Sequence, residues 1–235
     1  MKRNQKKLIL LSVLGLLIGL FLYANRLTGG QMHAHAEKLE RDAYLAEYQK
    51  IEEATAFFKN DGLDASFNVE GNGDTWKKAK QVSEALYQDS DGHFEQSWGL
   101  YLGLVADQKD VDPFLVYELL KVESGATFDE HAIGPETKYG HAYGMAQFMT
   151  NTAPWIADMA ELEYKKDYLF NPYYAIHLSV QYLQFLHDQY DDWDKALTAY
   201  HRGMGGLQSY LAENGHAKSD YAVTIQKQAK NHDSL

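Results

Sequence analysis

The chain reads as a mostly α protein. Three helices are signalled in its second half, each opened or closed by a capping signal, and two of them carry an apolar face at helical spacing. No segment alternates with period two for long enough to demand a sheet. Hydrophobic residues make up 45% and aromatics 13% of 235 residues, enough for a packed core and for one or two modest domains beside a membrane segment.

The N-terminus reads first as a membrane element. Lys2, Arg3, Lys6 and Lys7 precede Leu8 to Ala24, an apolar run broken only by Ser12. Its length is close to the ~20 residues that span hydrocarbon. With only Arg26 just after it, the charge bias predicts the N-terminus inside and the bulk of the chain outside. Residues 1–30 are therefore expected to be a cytoplasmic tip and an uncleaved, single-pass anchor in the cell membrane. The alternative is cleavage at Ala34-His35-Ala36, which has the small-x-small form and would release a secreted protein.

Gln31 to Lys59 follows as a polar-faced helix with a loose stripe of Leu39, Ala43, Ala46, Ile51 and Phe58. Gly62 to Trp76 holds the clearest loop signals. Helices are expected over Trp76 to Tyr87 and Phe94 to Ala106, with a break near Asp89-Ser90-Asp91-Gly92. Residues 31–106 thus form a helical stalk or accessory region, and 107–235 the domain that carries chemistry. In that domain Asp112-Pro113 is an N-cap followed by proline at the first helical position, and Leu115, Leu119 and Val122 give one apolar face. Gly125 reads as the stop. Asn171-Pro172 repeats the start signal for a helix to about Tyr190, with Ile176, Val180 and Leu183 inward. A third helix is expected from Asp192 or Asp194 to the glycine cluster Gly203, Gly205 and Gly206.

Composition narrows the chemistry. A net charge of -11 argues against a nucleic-acid-binding surface, which needs basic patches to displace counterions. Without cysteine there is no disulfide framework, thiol nucleophile or Cys-type zinc site. The ten histidines form no His-Glu-x-x-His pattern, and no phosphate-cradling glycine loop is visible. No metal and no cofactor is expected.

Glu123 stands out, in Val122-Glu123-Ser124-Gly125. A carboxylate in the last turn of a helix meets the negative end of the macrodipole, and an apolar surround disfavours its charge further. Both raise its pKa, as a general acid near neutral pH requires. A solvated helix-end glutamate would show the same local sequence. Gly144-Met145-Ala146-Gln147-Phe148-Met149 adds a glycine that permits close backbone approach and an amide able to donate to and accept from a sugar. Ala199-Tyr200 adds a phenol that could bond the acid.

Taken together, Glu123-Ser124, Gly144-x-x-Gln147-x-Met149 followed by Thr152-Ala153, Ala199-Tyr200 and the later Tyr221 resemble the SLT-type lytic transglycosylases of the goose-type lysozyme superfamily. The resemblance covers Val111 to Ile225. It implies a lysozyme-like catalytic domain acting on the glycan strands of peptidoglycan. It also implies that Glu123 protonates the oxygen between N-acetylmuramic acid and N-acetylglucosamine, then deprotonates the muramic acid 6-hydroxyl, which closes a 1,6-anhydro ring. Carried over, Ser124 helps position substrate or acid, Gly144, Gln147 and Met149 line the groove, Tyr200 holds Glu123, and Tyr221 is a further groove residue. A substrate that supplies its own nucleophile needs one carboxylate where most glycosidases need two. Tethering by the anchor suits local wall remodelling, or opening a passage for a secretion or conjugation assembly.

Three departures stand beside the match. His201 follows Ala-Tyr where the family usually has asparagine, and its charge changes with pH. Thr150 replaces the usual proline after the Gln-x-Met segment and could cap the next helix. Gly134 to His141 lengthens the connection before Gly144 and brings Glu136. A hydrolytic muramidase with Glu136 or Asp129 as helper, and a non-catalytic glycan-binding scaffold, are the alternatives. Tyr139, Tyr143 and Trp155 are the nearest other candidates for stacking on sugars.

Overall fold

The computed structural model describes residues 73–232, together with six positions between His35 and Gln49. The chain divides into two compact units, Met1–Gln49 and Lys50–Leu235. In the first, the six described positions are helical and exposed, and they fall within the helix expected over Gln31 to Lys59. The expected anchor, Leu8 to Ala24, lies outside the described residues, among which no helix is long and apolar enough to cross a membrane.

In the second unit the described elements are seven α-helices, one 3-10 turn and a two-stranded sheet. They are α1 (Gly73–Asp89), α2 (Gln96–Lys109), α3 (Pro113–Glu123), β1 (Ala142–Tyr143), β2 (Phe148–Met149), α4 (Ala153–Met159), the 3-10 turn Lys166–Phe170, α5 (Pro172–Tyr190), α6 (Trp193–Asn214) and α7 (Asp220–His232).

α2 is the central element. Every residue from Ser97 to Ala106 is buried, so it is apolar all round, as a helix enclosed by others must be. On one side α1 approaches so closely that a Cβ on Gly99 would lie 2.8 Å from the Ser83 Cα, and one on Gly103 2.7 Å from the Ala79 Cα. On the other side α5 meets it through two polar pairs inside the core. Tyr173 Oη donates to Ser97 Oγ at 3.0 Å, and Tyr101 Oη lies 2.9 Å from His177 Nδ1. The boundary drawn at 107 from sequence runs through the last turn of this helix. α1 and α2, assigned there to an accessory region, lie in the same compact unit as the remaining helices.

The helix starts follow the sequence signals. Asp112 Oδ1 accepts from the Phe114 N–H, Asn171 Oδ1 from Tyr174 N–H, and Asp192 Oδ1 from Lys195 N–H. The end of α6 does not. The glycine cluster bends the helix at Gly203 (φ 73, ψ 161) without stopping it, and the helix ends at Gly215, whose N–H reaches the Leu211 carbonyl. Buried Leu207 restores the apolar period beyond the break, so the second half still has a face to bury. Thr150 does not cap α4 either. Thr152 stands at that position, without a side-chain capping bond, because Thr150 is taken up in the turn that leaves β2.

α3 and α7 are held together at two levels. At one, His232 Nε2 lies 2.8 Å from Glu118 Oε1, both side chains buried, with the Lys121 ammonium 3.7 Å from Glu118 and 2.6 Å from Asp89 of α1. The other level is the site described next.

Candidate active site

Glu123 is the last residue of α3, so its side chain leaves the helix where the unpaired carbonyls gather. The chain then turns sharply through Gly125, Ala126 and Phe128, with φ of 63, 65 and 50. Two of these carry a Cβ, a backbone state that persists only where the surroundings impose it. Ser124 Oγ accepts from the Phe128 N–H at 3.0 Å. The buried Phe128 ring stacks on Tyr117 at 5.2 Å and meets Phe94 edge-on at 5.0 Å. Ser124 therefore fixes the loop that follows Glu123.

The phenol that bonds the acid belongs to Tyr221, in the first turn of α7. Its Oη donates to Glu123 Oε1 at 2.6 Å, across 98 positions of sequence. Burial pushes the Glu123 carboxyl up from 4.5 to about 7, and the Tyr221 bond, which favours the charged form, pulls the other way. Burial and the nearby Glu123 charge hold the Tyr221 and Tyr200 phenols above their ordinary range, so both stay protonated.

Tyr200, expected to hold Glu123, has a different partner. Its hydroxyl donates to the Ala146 carbonyl and lies against Ser179 Oγ, both at 3.3 Å. Its ring packs with Phe148 at 5.7 Å and Tyr182 at 5.3 Å. In mid-α6 it is directed at the turn between β1 and β2, and it ties that turn to α5 and α6.

β1 and β2 pair in antiparallel register, Ala142 with Met149 and Tyr143 with Phe148. The turn between them contains Gly144, at φ 70, where a Cβ would collide with the Leu169 carbonyl oxygen. Gln147 closes it from φ 50, with its backbone N–H on the Gly144 carbonyl at 3.1 Å and its Nε2 on the same oxygen at 2.8 Å. Its Oε1 lies against Gly134, where a Cβ would come within 2.5 Å. The amide thus locks its own turn. Met149 is half-buried at the end of β2.

His201 is exposed but not idle. Its ring lies flat on that of Tyr221, centroids 4.5 Å apart and planes 8° from parallel. Burial, then the Arg202 charge, lowers its pKa. Asp129 and Glu136 are both exposed; Asp129 accepts from the His131 N–H, and neither bonds to Glu123. Gly134 to His141 forms a tight loop closed by Thr137 and Gly140, with Tyr139 at its exposed tip. Tyr143 is half-buried beneath Lys166, whose Nζ is 4.2 Å from the ring centroid, and Trp155 is partly exposed on α4. Sequence reasoning missed Phe128 and the Ala146 carbonyl. Phe128 left a trace as a lone aromatic in a polar stretch, whereas a backbone acceptor leaves none.

Asp89, Glu118 and His232 bring one ligand atom each within 4.8 Å of one another. The Lys121 ammonium already pairs with both carboxylates of that group, and Tyr117 Oη donates to Asp89 at 2.7 Å. A cation there would have to displace the protein's own. A cavity of about 860 Å³ lies among α1, α2 and the start of α3, lined by Lys78, Asp107 and Phe114 among others.

The model of the family described as "Transglycosylase SLT domain" matches residues 102–223, more than half of the chain. None of the curated proteins compared with the chain matches it. Among solved structures, an inactive mutant of the lytic transglycosylase Slt from Pseudomonas aeruginosa is similar in fold, with a TM-score of 0.51 and 21% identity over 66% of this chain. The 70 kDa soluble lytic transglycosylase Slt70 from Escherichia coli also matches, with a TM-score of 0.41 and 17% identity over 66% of this chain. The chain spans 27% of the first and 28% of the second. The match begins at residue 102, inside α2, and it covers Glu123, the Gly144–Gln147 turn, Tyr200 and Tyr221. The chain belongs to the transglycosylase SLT domain family, with the mostly helical, lysozyme-like fold of that family.

Proposed function

We propose that the protein is a peptidoglycan lytic transglycosylase in which Glu123 acts first as acid and then as base. The observation that carries this reading is a single half-buried carboxyl, raised to about 7 and bonded by a phenol rather than by a second carboxylate. A group with that pKa is protonated often enough at neutral pH to act as an acid, and its conjugate base is strong enough to recover a proton.

In the proposed reaction the Glu123 carboxyl gives its proton to the oxygen linking C1 of N-acetylmuramic acid to C4 of N-acetylglucosamine. The C1–O bond breaks and the N-acetylglucosamine 4-hydroxyl leaves. The Glu123 carboxylate then takes the proton of the muramic acid 6-hydroxyl as that oxygen bonds to C1. The acid is restored, no water is consumed, and the sugar ends as a 1,6-anhydro ring. Tyr221 supports both steps, since its bond to Oε1 stabilises the carboxylate formed between them. The turn held by Gln147 and Tyr200, with Met149 beside it, would form the wall against which the sugars lie.

The proposal places the site outside the cytoplasmic membrane, tethered by the apolar run Leu8 to Ala24, and this placement rests on the sequence alone. Wall remodelling near the membrane, or opening a passage for a secretion or conjugation assembly, follows from that tether.

Mass spectrometry of muropeptides released by the purified protein tests the reaction. Products one water lighter than reducing-end muropeptides are expected, and Glu123→Gln should lower their release by at least about 100-fold, the usual worth of a general acid. Ordinary reducing ends would instead assign hydrolysis. Undiminished release by Glu123→Gln would remove Glu123 from the chemistry.

A further inference from the structure

We propose that His201 is a positioning residue for the acid, acting through the ring of Tyr221. The inference rests on the reading of Glu123 given above and adds a role for the position where the family usually has asparagine.

Tyr221 stands in the first turn of α7, next to the exposed Asp220; the residue as a whole is half-buried, with its hydroxyl end buried against Glu123. Rotation about χ1 would carry the hydroxyl off Glu123. Three things oppose that rotation. One is the 2.6 Å bond to Glu123 Oε1 itself. Another is the anchoring on α6 of the segment that leads into α7, where Thr198 Oγ1 bonds the Ala217 carbonyl and lies against Ser219 Oγ, both at 2.7 Å. The third is the His201 imidazole, which covers one ring face at 4.5 Å and 8°.

The position of His201 fits it to this task. It is the second residue before Gly203, where α6 leaves helical dihedrals, so its own backbone is still helical. Residues 201–205 are all exposed, and apart from the histidine none of them stacks on Tyr221. An asparagine would present a smaller plane to the ring. A flat aromatic covers it, and such pairs contribute roughly 0.5–1.5 kcal/mol beyond area burial. Arg202, the neighbouring charge, turns to the ring of Tyr210, its Cζ 4.8 Å from the centroid, and leaves the Tyr221 face to His201.

The consequence is measurable at Glu123. Because the Tyr221 bond favours the carboxylate, loosening Tyr221 should raise the Glu123 pKa further and slow the step that forms the carboxylate. In His201→Ala, kcat should fall about three- to tenfold, the worth of one net hydrogen bond, with KM little changed. The basic limb of the kcat/KM profile should move up by about half a unit to one unit. His201→Phe keeps a flat ring without a titrating group and should restore both values. In a Tyr221→Phe background, where the bond is absent, His201→Ala should have little further effect.

The deciding experiment is a carbon-13 NMR titration of the Glu123 carboxyl in the full-length wild type, His201→Ala, His201→Phe and the two Tyr221→Phe proteins. Glu123→Gln assigns the resonance. An upward shift in His201→Ala alone, cancelled in the Tyr221→Phe background, supports the proposal. An unchanged titration in His201→Ala, or the same shift with and without the Tyr221 hydroxyl, overturns it. The titration needs no substrate. If the wild type fails to cleave glycan, that failure falls on the proposed function while the titration still decides the role of His201.

Discussion

Glu123 titrates near 7 because burial withholds the solvent that a carboxylate needs, and the same cost must appear in folding. The folded pKa lies above the unfolded one, so below about pH 4.5 the group is neutral in both states and costs nothing. Between there and about 7 the unfolded chain ionises first, and the native state loses stability relative to it. Above 7 the penalty is complete and constant. Glu123→Gln removes it, so thermal melts should show this variant more stable than wild type by roughly 1–3 kcal/mol at pH 8 and nearly equal at pH 4.5. A stability difference that does not vary with pH would mean that the carboxyl titrates normally. The raised carboxyl was legible in the sequence, because a helix end and an apolar run both act locally. Its phenol was not. Tyr200 and Tyr221 both follow the motif, and only the packing of α7 across α3 decides which of them reaches Oε1.

The helices show the same division between local and distant causes. Each start at Asp112, Asn171 and Asp192 is written in two or three adjacent residues, and each is a side-chain cap in the structure. The α6 glycines misled because a glycine signals freedom without saying whether the chain uses it to stop or to bend. Gly99 and Gly103 carried no signal at all, since their role is to let α1 approach α2. These two kinds of helical glycine respond oppositely to a methyl group. At Gly205 nothing lies within 4 Å of a new Cβ, so Gly205→Ala should stabilise the protein by roughly 0.5–1 kcal/mol through helix propensity. At Gly103 the new Cβ would lie 2.7 Å from the backbone of Ala79, and overpacking of about 1–3 kcal/mol outweighs the same gain. Urea melts of the two variants should therefore move in opposite directions. Stabilisation by both would show that α1 can withdraw from α2 without cost.

At the scale of the whole molecule, the family motifs begin near Val111, and a domain drawn from them starts at 107. The core places its own limit earlier. Ten consecutive residues of α2 are buried, and Tyr101 and Ser97 reach across to His177 and Tyr173 of α5. Phe94, just before α2, is wholly buried against Tyr117 and Phe128 and so supports the loop that follows Glu123. Removing α1 and α2 would strip one side of α5 and undo that aromatic cluster together. A fragment of residues 107–235 is therefore expected to lack a cooperative thermal transition. A fragment of residues 73–235 should keep one and should keep the raised Glu123 titration. Loss of that titration in a folded 107–235 fragment would confine the role of α2 to the Glu123 loop, and retention of both properties would show that the motif-bearing half folds alone. A carboxyl can be held near 7 only where the fold keeps water away from it, so the raised titration and the cooperative fold are expected to be lost together.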